Sequence, residues 1–101
     1  MFFPDPSKHY SQLDHLMTGY LNQDYELFGS TIEEVVICYM KENTKSDWCR
    51  LIEDIENFKK SHPSTLDKSF LDVYGLGFDP SLWGISTSTF FDKVKSTLSK
   101  F

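Results

Sequence analysis

Residues 19–40, GYLNQDYELFGSTIEEVVICYM, decide the fold, because they join two helical patterns through an acidic, aromatic hinge. Ahead of the hinge, Tyr10, Leu13, Leu16, Met17, Tyr20 and Leu21 recur at helical spacing, which predicts an amphipathic first helix. Gly19, late in that pattern, marks a close approach or the start of the helix end. After the hinge, Ser30 and Glu33 stand at capping-box spacing and predict a second helix from Thr31. The run Val35-Val36-Ile37-Cys38-Tyr39-Met40 is β-branched and apolar on every side, so a buried strand also fits its periodicity. The cap signal and the polar exit Lys41-Glu42-Asn43 favour a central helix over residues 31–43, with the others packed around it.

The rest of the chain extends the helical reading. Pro4 and Pro6 make an extended lead-in, with Ser7 a candidate cap for the first helix. Ser46 is a candidate cap for a third helix striped by Trp48, Leu51, Ile52, Ile55 and Phe58. Arg50, Glu53, Asp54, Glu56 and Asn57 are read as lying away from that stripe. Pro63 is acceptable in the first turn of a fourth helix through Leu66, Phe70, Leu71 and Tyr74, which Gly75 ends by adopting a left-handed cap. Residues 75–84 carry three Gly and one Pro and are expected to form an ordered loop pinned by Phe78 and Trp83. Ser86 to Thr89 offer caps for a last helix through Phe90, Phe91, Val94, Leu98 and Phe101. The expected fold is all-α, one domain of five helices with an ordered loop before the last.

Length and composition limit the function. At 101 residues the chain has room for one core and no second domain. The longest apolar run, residues 35–40, is far short of the roughly 20 residues of a membrane helix. The opening Met1-Phe2-Phe3-Pro4-Asp5 lacks a basic n-region, so no signal peptide is expected and the chain is placed in the cytoplasm. Cys38 and Cys49 are accordingly expected as free, buried thiols. The net charge of −5 disfavours nucleic acid, which requires clustered Lys and Arg.

Between His9 and Met40 stand five acids, Asp14, Asp24, Glu26, Glu33 and Glu34, and no Lys or Arg. Lys93, Lys95 and Lys100 give the last helix the opposite sign. A lopsided acidic surface suits a basic protein partner, whose encounter it accelerates. Asp24, Glu26, Glu33 and Glu34 are the candidate partner-binding residues. Glu33 is also claimed by the capping box and Asp24 by the hinge, which leaves Glu26 and Glu34 without a structural duty. The acidic side of helix three, with Asp47, Asp54 and Glu56, is the alternative surface.

Nothing in the sequence encodes chemistry. No two of His9, His15 and His62 stand at i, i+4 spacing for a metal. No glycine-flanked nucleophile and no phosphate-binding loop occurs. The acidic pairs Glu33-Glu34 and Glu53-Asp54 are adjacent in helices and do not face one another across a cleft. Neither enzymatic activity nor a cofactor is expected.

The hinge and the tail together resemble the immunity proteins of contact-dependent growth inhibition systems, the CdiI family. The resemblance begins with Leu13, Tyr20, Leu21, Gln23, Asp24, Tyr25 and Gly29-Ser30. It resumes at Tyr74-Gly75-Leu76-Gly77-Phe78-Asp79-Pro80 and ends with Gly84-Ile85-Ser86 before Phe90-Phe91. Leu21-Asn22 stands where an aromatic pair is commoner, Phe78 where Tyr is, and Phe90 where Trp is. The resemblance implies a small helical cytosolic protein that binds and neutralises its cognate toxin, the C-terminal domain of CdiA, without catalysis. It carries no toxin identity; a nuclease fits the acidic surface, which would occupy ground meant for phosphate. Gln23-Asp24, in the family pattern, either touches toxin or fixes the hinge by backbone hydrogen bonds. A monomer is expected. A helical adaptor that recruits a basic partner is the alternative from another functional class.

Overall fold

A computed structural model describes residues 10–22, 24–75 and 77–100. Expectations placed on Pro4, Pro6, Ser7, His9, Gln23, Leu76 and Phe101 lie outside them. Five α-helices form: α1 (Ser11–Gly19), α2 (Ile32–Glu42), α3 (Lys45–Ser61), α4 (Leu66–Tyr74) and α5 (Thr87–Ser99). Two 3-10 turns, Tyr25–Leu27 and Pro80–Trp83, interrupt the α1–α2 and α4–α5 connections. No strand occurs among the described residues. The expected all-α bundle is what the chain adopts.

The apolar run at 35–40 is helical. Thr31 caps α2, its Oγ1 accepting from the Glu34 amide at 3.1 Å. The Glu34 carboxylate returns to the Ser30 amide at 2.8 Å and to the Ser30 hydroxyl at 3.1 Å. The cap therefore stands one residue later than Ser30 and Glu33 predict, and the carboxylate returns to the residue before the cap rather than closing a full box. β-Branched residues cost a helix a few tenths of a kcal/mol each, whereas burying a Val side chain stabilises by about 1.5 kcal/mol or more. Val35 and Val36 are fully buried, so packing decides. Gly29 lets the hinge approach this cap, since a Cβ there would stand 2.6 Å from the Glu34 Cβ.

α1 packs on α3 and α2 on α5, while α5 also meets α4, α3 and the second 3-10 turn. The helix on which the elements converge is thus α5 rather than α2. Phe58 of α3 joins the pairs: its ring lies 5.3 Å from Tyr10, 6.1 Å from Phe70 and 6.0 Å from Phe91. Lys95 of α5 reaches Glu56 of α3 at 2.5 Å.

Four local expectations change, the first being that Pro63 stands outside α4, three residues before its start at Leu66, rather than in its first turn. The cap of α3 is Thr44, not Ser46, in a complete capping box with Asp47. Gly75 ends α4 with φ −64°, right-handed rather than left-handed. A Cβ at Gly75 would meet the Leu71 carbonyl oxygen at 2.5 Å, so close approach accounts for the glycine. Cys49 is exposed and Cys38 half-buried, its Sγ donating to the Phe28 carbonyl at 3.0 Å, so neither thiol is a core residue.

The largest correction is Asp54, expected on the outer face of α3 but only 6% exposed. It stands three residues after Leu51 and four before Phe58, both buried, and so on the inner stripe. α1 begins after Tyr10 with no side-chain cap of its own. Asp54 Oδ2 supplies one, accepting from the amides of Gln12 at 2.8 Å and Leu13 at 3.1 Å. Burial raises its pKa above the ordinary 3.8, outweighing the amides of Leu13 and Gln12, which pull it down.

Asp54→Ala leaves two helix-start amides without an acceptor and is expected to destabilise the protein by about 1–3 kcal/mol in chemical denaturation. Asp54→Asn keeps an oxygen acceptor without the buried charge and should cost less than half as much. Equal losses would mean that the charge, not the acceptor, holds α1.

Candidate partner-binding site

The hinge is built from short-range hydrogen bonds and aromatic packing. Tyr20 leaves α1 with its ring 5.0 Å from Phe28 and 5.7 Å from Tyr39. Its hydroxyl donates to Glu42, and burial together with that carboxylate pushes its pKa up to about 12. Asn22 Nδ2 donates to the Thr18 carbonyl at 2.7 Å, closing off α1, and Asn22 Oδ1 accepts from the Asp24 amide at 2.8 Å. Asn22 is therefore the staple of the hinge, a side chain that reasoning from the sequence passed over although Asn commonly stabilises turns in this way.

The second 3-10 turn meets the first. Asp79 accepts from the Ser81 amide at 2.9 Å and the Ser81 hydroxyl at 2.8 Å, and Gly84, at φ 76°, closes the turn in the left-handed region. Phe78 is buried 5.0 Å from Phe90, as expected of a pinning residue. Trp83 stacks 5.9 Å from Phe78 and 5.2 Å from Tyr25. The Tyr25–Trp83 contact brings together the hinge and the tail, far apart in sequence. On either side of Gly77 lies an open groove of about 420 Å³, one reaching Met17, Asp24 and Val73, the other Tyr25, Leu82 and Trp83.

The five acids of the N-terminal stretch divide by duty. Asp14 accepts from the Tyr74 hydroxyl. Glu33 pairs with Lys93 at 3.5 Å, both side chains about 40% exposed, an arrangement worth at most about 1 kcal/mol. Glu34 is the residue that holds the α2 start, and the Ser30 amide and hydroxyl keep its pKa below the usual carboxylate range. Asp24 and Glu26 are exposed, and among the described residues neither carboxylate enters a hydrogen bond or ion pair. The cap duty expected of Glu33 therefore falls to Glu34, and Glu33 takes an ion pair instead. The alternative surface on α3 is occupied from within: Asp47 closes its capping box, Asp54 caps α1 and Glu56 holds Lys95. Lys93 and Lys95 are likewise paired, so the opposite sign expected of α5 is largely spent inside the molecule.

No group of three or more metal-ligating side chains occurs among the described residues, and no helix there is long and apolar enough to cross a membrane. A family model described as CdiI immunity protein matches residues 9–98, most of the chain, including the hinge and the tail that Tyr25 and Trp83 join. The chain belongs to the CdiI immunity protein family. No curated protein and no solved structure matches it. The membership bears out the resemblance drawn from the residues; the family description names no interface residue.

The carboxylates make this CdiI-family protein acid-sensitive in a defined direction. Hydrogen bonds and ion pairs depress the pKa of Glu34, Asp47, Glu56 and Asp67. Their stabilisation is full above the ordinary values of 4.5 for Glu and 3.8 for Asp, and is lost as pH falls through those values toward the folded-state pKa. Asp54, shifted upward, opposes this in sign, since its folded state favours the proton. Melting temperature is expected to fall between about pH 5 and pH 3. Glu34→Gln should flatten part of that slope, and Glu34→Lys should lower the melting temperature at pH 7 while Glu26→Lys leaves it unchanged. Thermal melts across a pH series check all three.

Proposed function

We propose that this chain is the immunity protein of a contact-dependent growth inhibition system, and that it neutralises the C-terminal toxin domain by forming a one-to-one complex with it. Membership of the CdiI immunity protein family carries the reading. The chain acts by binding and performs no catalysis. Its place of action is the cytoplasm, where the incoming toxin domain meets its target, and the free protein is a monomer.

The partner-binding residues are drawn from Asp24, Glu26, Glu33 and Glu34, and their surroundings rank them. Asp24 and Glu26, exposed and without an ion pair among the described residues, present charge that a partner can meet without first breaking an internal bond. Glu33 would have to be shared with Lys93, and Glu34 with Ser30. An acidic surface of this kind opposes Lys and Arg, and the toxin class it suits is a nuclease, whose phosphate-binding ground it would cover.

Co-expression with the toxin domain encoded beside it is expected to restore growth, with a one-to-one complex recovered, while unrelated toxin domains are not neutralised. Association should slow as salt rises. Asp24→Lys with Glu26→Lys should weaken binding at least tenfold at an unchanged melting temperature. A complex that recruits the basic partner and leaves its activity intact would replace immunity with the adaptor reading.

A further inference from the structure

Leu27 and Leu82 are the most exposed large apolar side chains among the described residues, at 80% and 84%. A lone exposed leucine needs no explanation. These two stand on the two different 3-10 turns, Leu27 two residues after Tyr25 and Leu82 immediately before Trp83, and Tyr25 and Trp83 are the rings in contact between the turns. Both rings are only half-buried, so aromatic surface accompanies the leucines outward. Residues on this patch were not singled out by periodicity, because turns have none.

The patch is held from beneath. Asn22 fixes the entry to the first turn, Asp79 and Gly84 fix the second, and buried Phe78 anchors the chain just ahead of the second. With the backbone of both turns already ordered by folding, the entropy lost on docking is mainly that of the side chains themselves. Charge selects the partner. Glu26 lies between Tyr25 and Leu27 in sequence and Asp24 precedes them; both are exposed, and among the described residues neither carboxylate is paired, so negative charge accompanies the apolar surface. A second copy of this chain seated on its own patch would set these carboxylates against themselves, which is unfavourable. A partner with apolar side chains flanked by Lys or Arg meets both features at once.

We infer that the surface formed by the two 3-10 turns docks the cognate toxin domain, with Leu27, Leu82, Tyr25 and Trp83 making the apolar contact and Asp24 and Glu26 engaging basic side chains at its border. This rests on the immunity reading and assigns its interface. Aromatic anchors ringed by energetically quieter contacts are the usual arrangement of a protein interface, and desolvated apolar contacts act on the off-rate while border charges act on the on-rate.

The test compares wild type, Leu27→Ser with Leu82→Ser, Glu26→Lys, and Glu53→Lys on the exposed face of α3, each checked first for an unchanged melting temperature. Binding kinetics with the purified toxin domain and growth rescue are then measured. The double serine variant is expected to bind at least tenfold more weakly through a faster off-rate and to lose protection. Glu26→Lys should lower mainly the on-rate, and Glu53→Lys should behave as wild type. If wild type binds and protects and the double serine variant does the same, the docking surface lies elsewhere while the immunity function stands. If wild type neither binds nor protects, both fall. Sedimentation of the free protein covers the remaining occupant: a wild-type dimer that the serine variant dissolves would make this a self-association face and overturn the inference.

Discussion

A carboxylate buried under the first helix sets the arrangement of the rest. The starting amides of α1 have no intrahelical partner, and Tyr10 offers them none. Asp54 answers that need from α3, 41 residues away from Leu13 in sequence, and so fixes α1 in both position and axial register. The α5 start uses a similar device, the amide of Thr87 donating to Asp67 of α4 at 2.8 Å. A cap supplied from another helix does more than a local one. It makes the helix start and the tertiary contact a single event, because neither partner is satisfied until the two helices have docked. Desolvation of Asp54 opposes this, as its raised pKa records, and the two charge-assisted amide bonds with the apolar packing around them offset it.

That docking positions the hinge. With α1 held on α3, Tyr39 of α2 reaches back to Gln12 at 2.7 Å, and Tyr20 folds against Tyr39 and Phe28 as the chain leaves α1. Phe78 and Phe90 bring the tail to the same end, where Trp83 finds Tyr25. The two stretches that carry the family pattern are therefore adjacent for a reason that begins in the core: an aromatic network centred on Phe58 and Phe70 fixes α3, α4 and α5, and the connections between helices fall where those helices leave them.

How much of this was legible in the sequence depends on the kind of signal. Apolar spacing located all five helices, and the cap residues placed the starts of α2, α3 and α5 within about two residues, whereas α4 starts three residues after the Pro63 expected in its first turn. The register of the α2 cap was ambiguous because Ser30-Thr31 and Glu33-Glu34 offer two overlapping boxes of equal spacing, and only the buried positions of Ile32 and Val35 choose between them. Asp54 was misread because its chemistry was weighed above its position. Spacing from Leu51 and Phe58 puts residue 54 on the inner face, and an acid there is a statement that something must satisfy it. Leu82 was illegible for the opposite reason. A leucine in a turn can point either way, and nothing local decides between the core and solvent.

The same distinction governs charge. A run of five acids without a base is a fact about sequence, but surface potential depends on which of them the fold has already engaged. Asp14, Glu33 and Glu34 serve Tyr74, Lys93 and Ser30, and two of the three lysines that made the chain look lopsided, Lys93 and Lys95, are drawn across to α2 and α3. Hydrogen bonds to neutral groups do not cancel a carboxylate's charge, so among the described residues Lys93 offsets Glu33 alone of the five, and the field of the others decays within a Debye length of about 8 Å at physiological salt. A field that short and that generic steers many basic proteins alike. Discrimination among them must come from contacts made after water has left, where a mismatched apolar surface or an unpaired charge is costly. The proposed docking surface combines both kinds of group, with charge to accelerate the encounter and apolar side chains to decide whether it lasts.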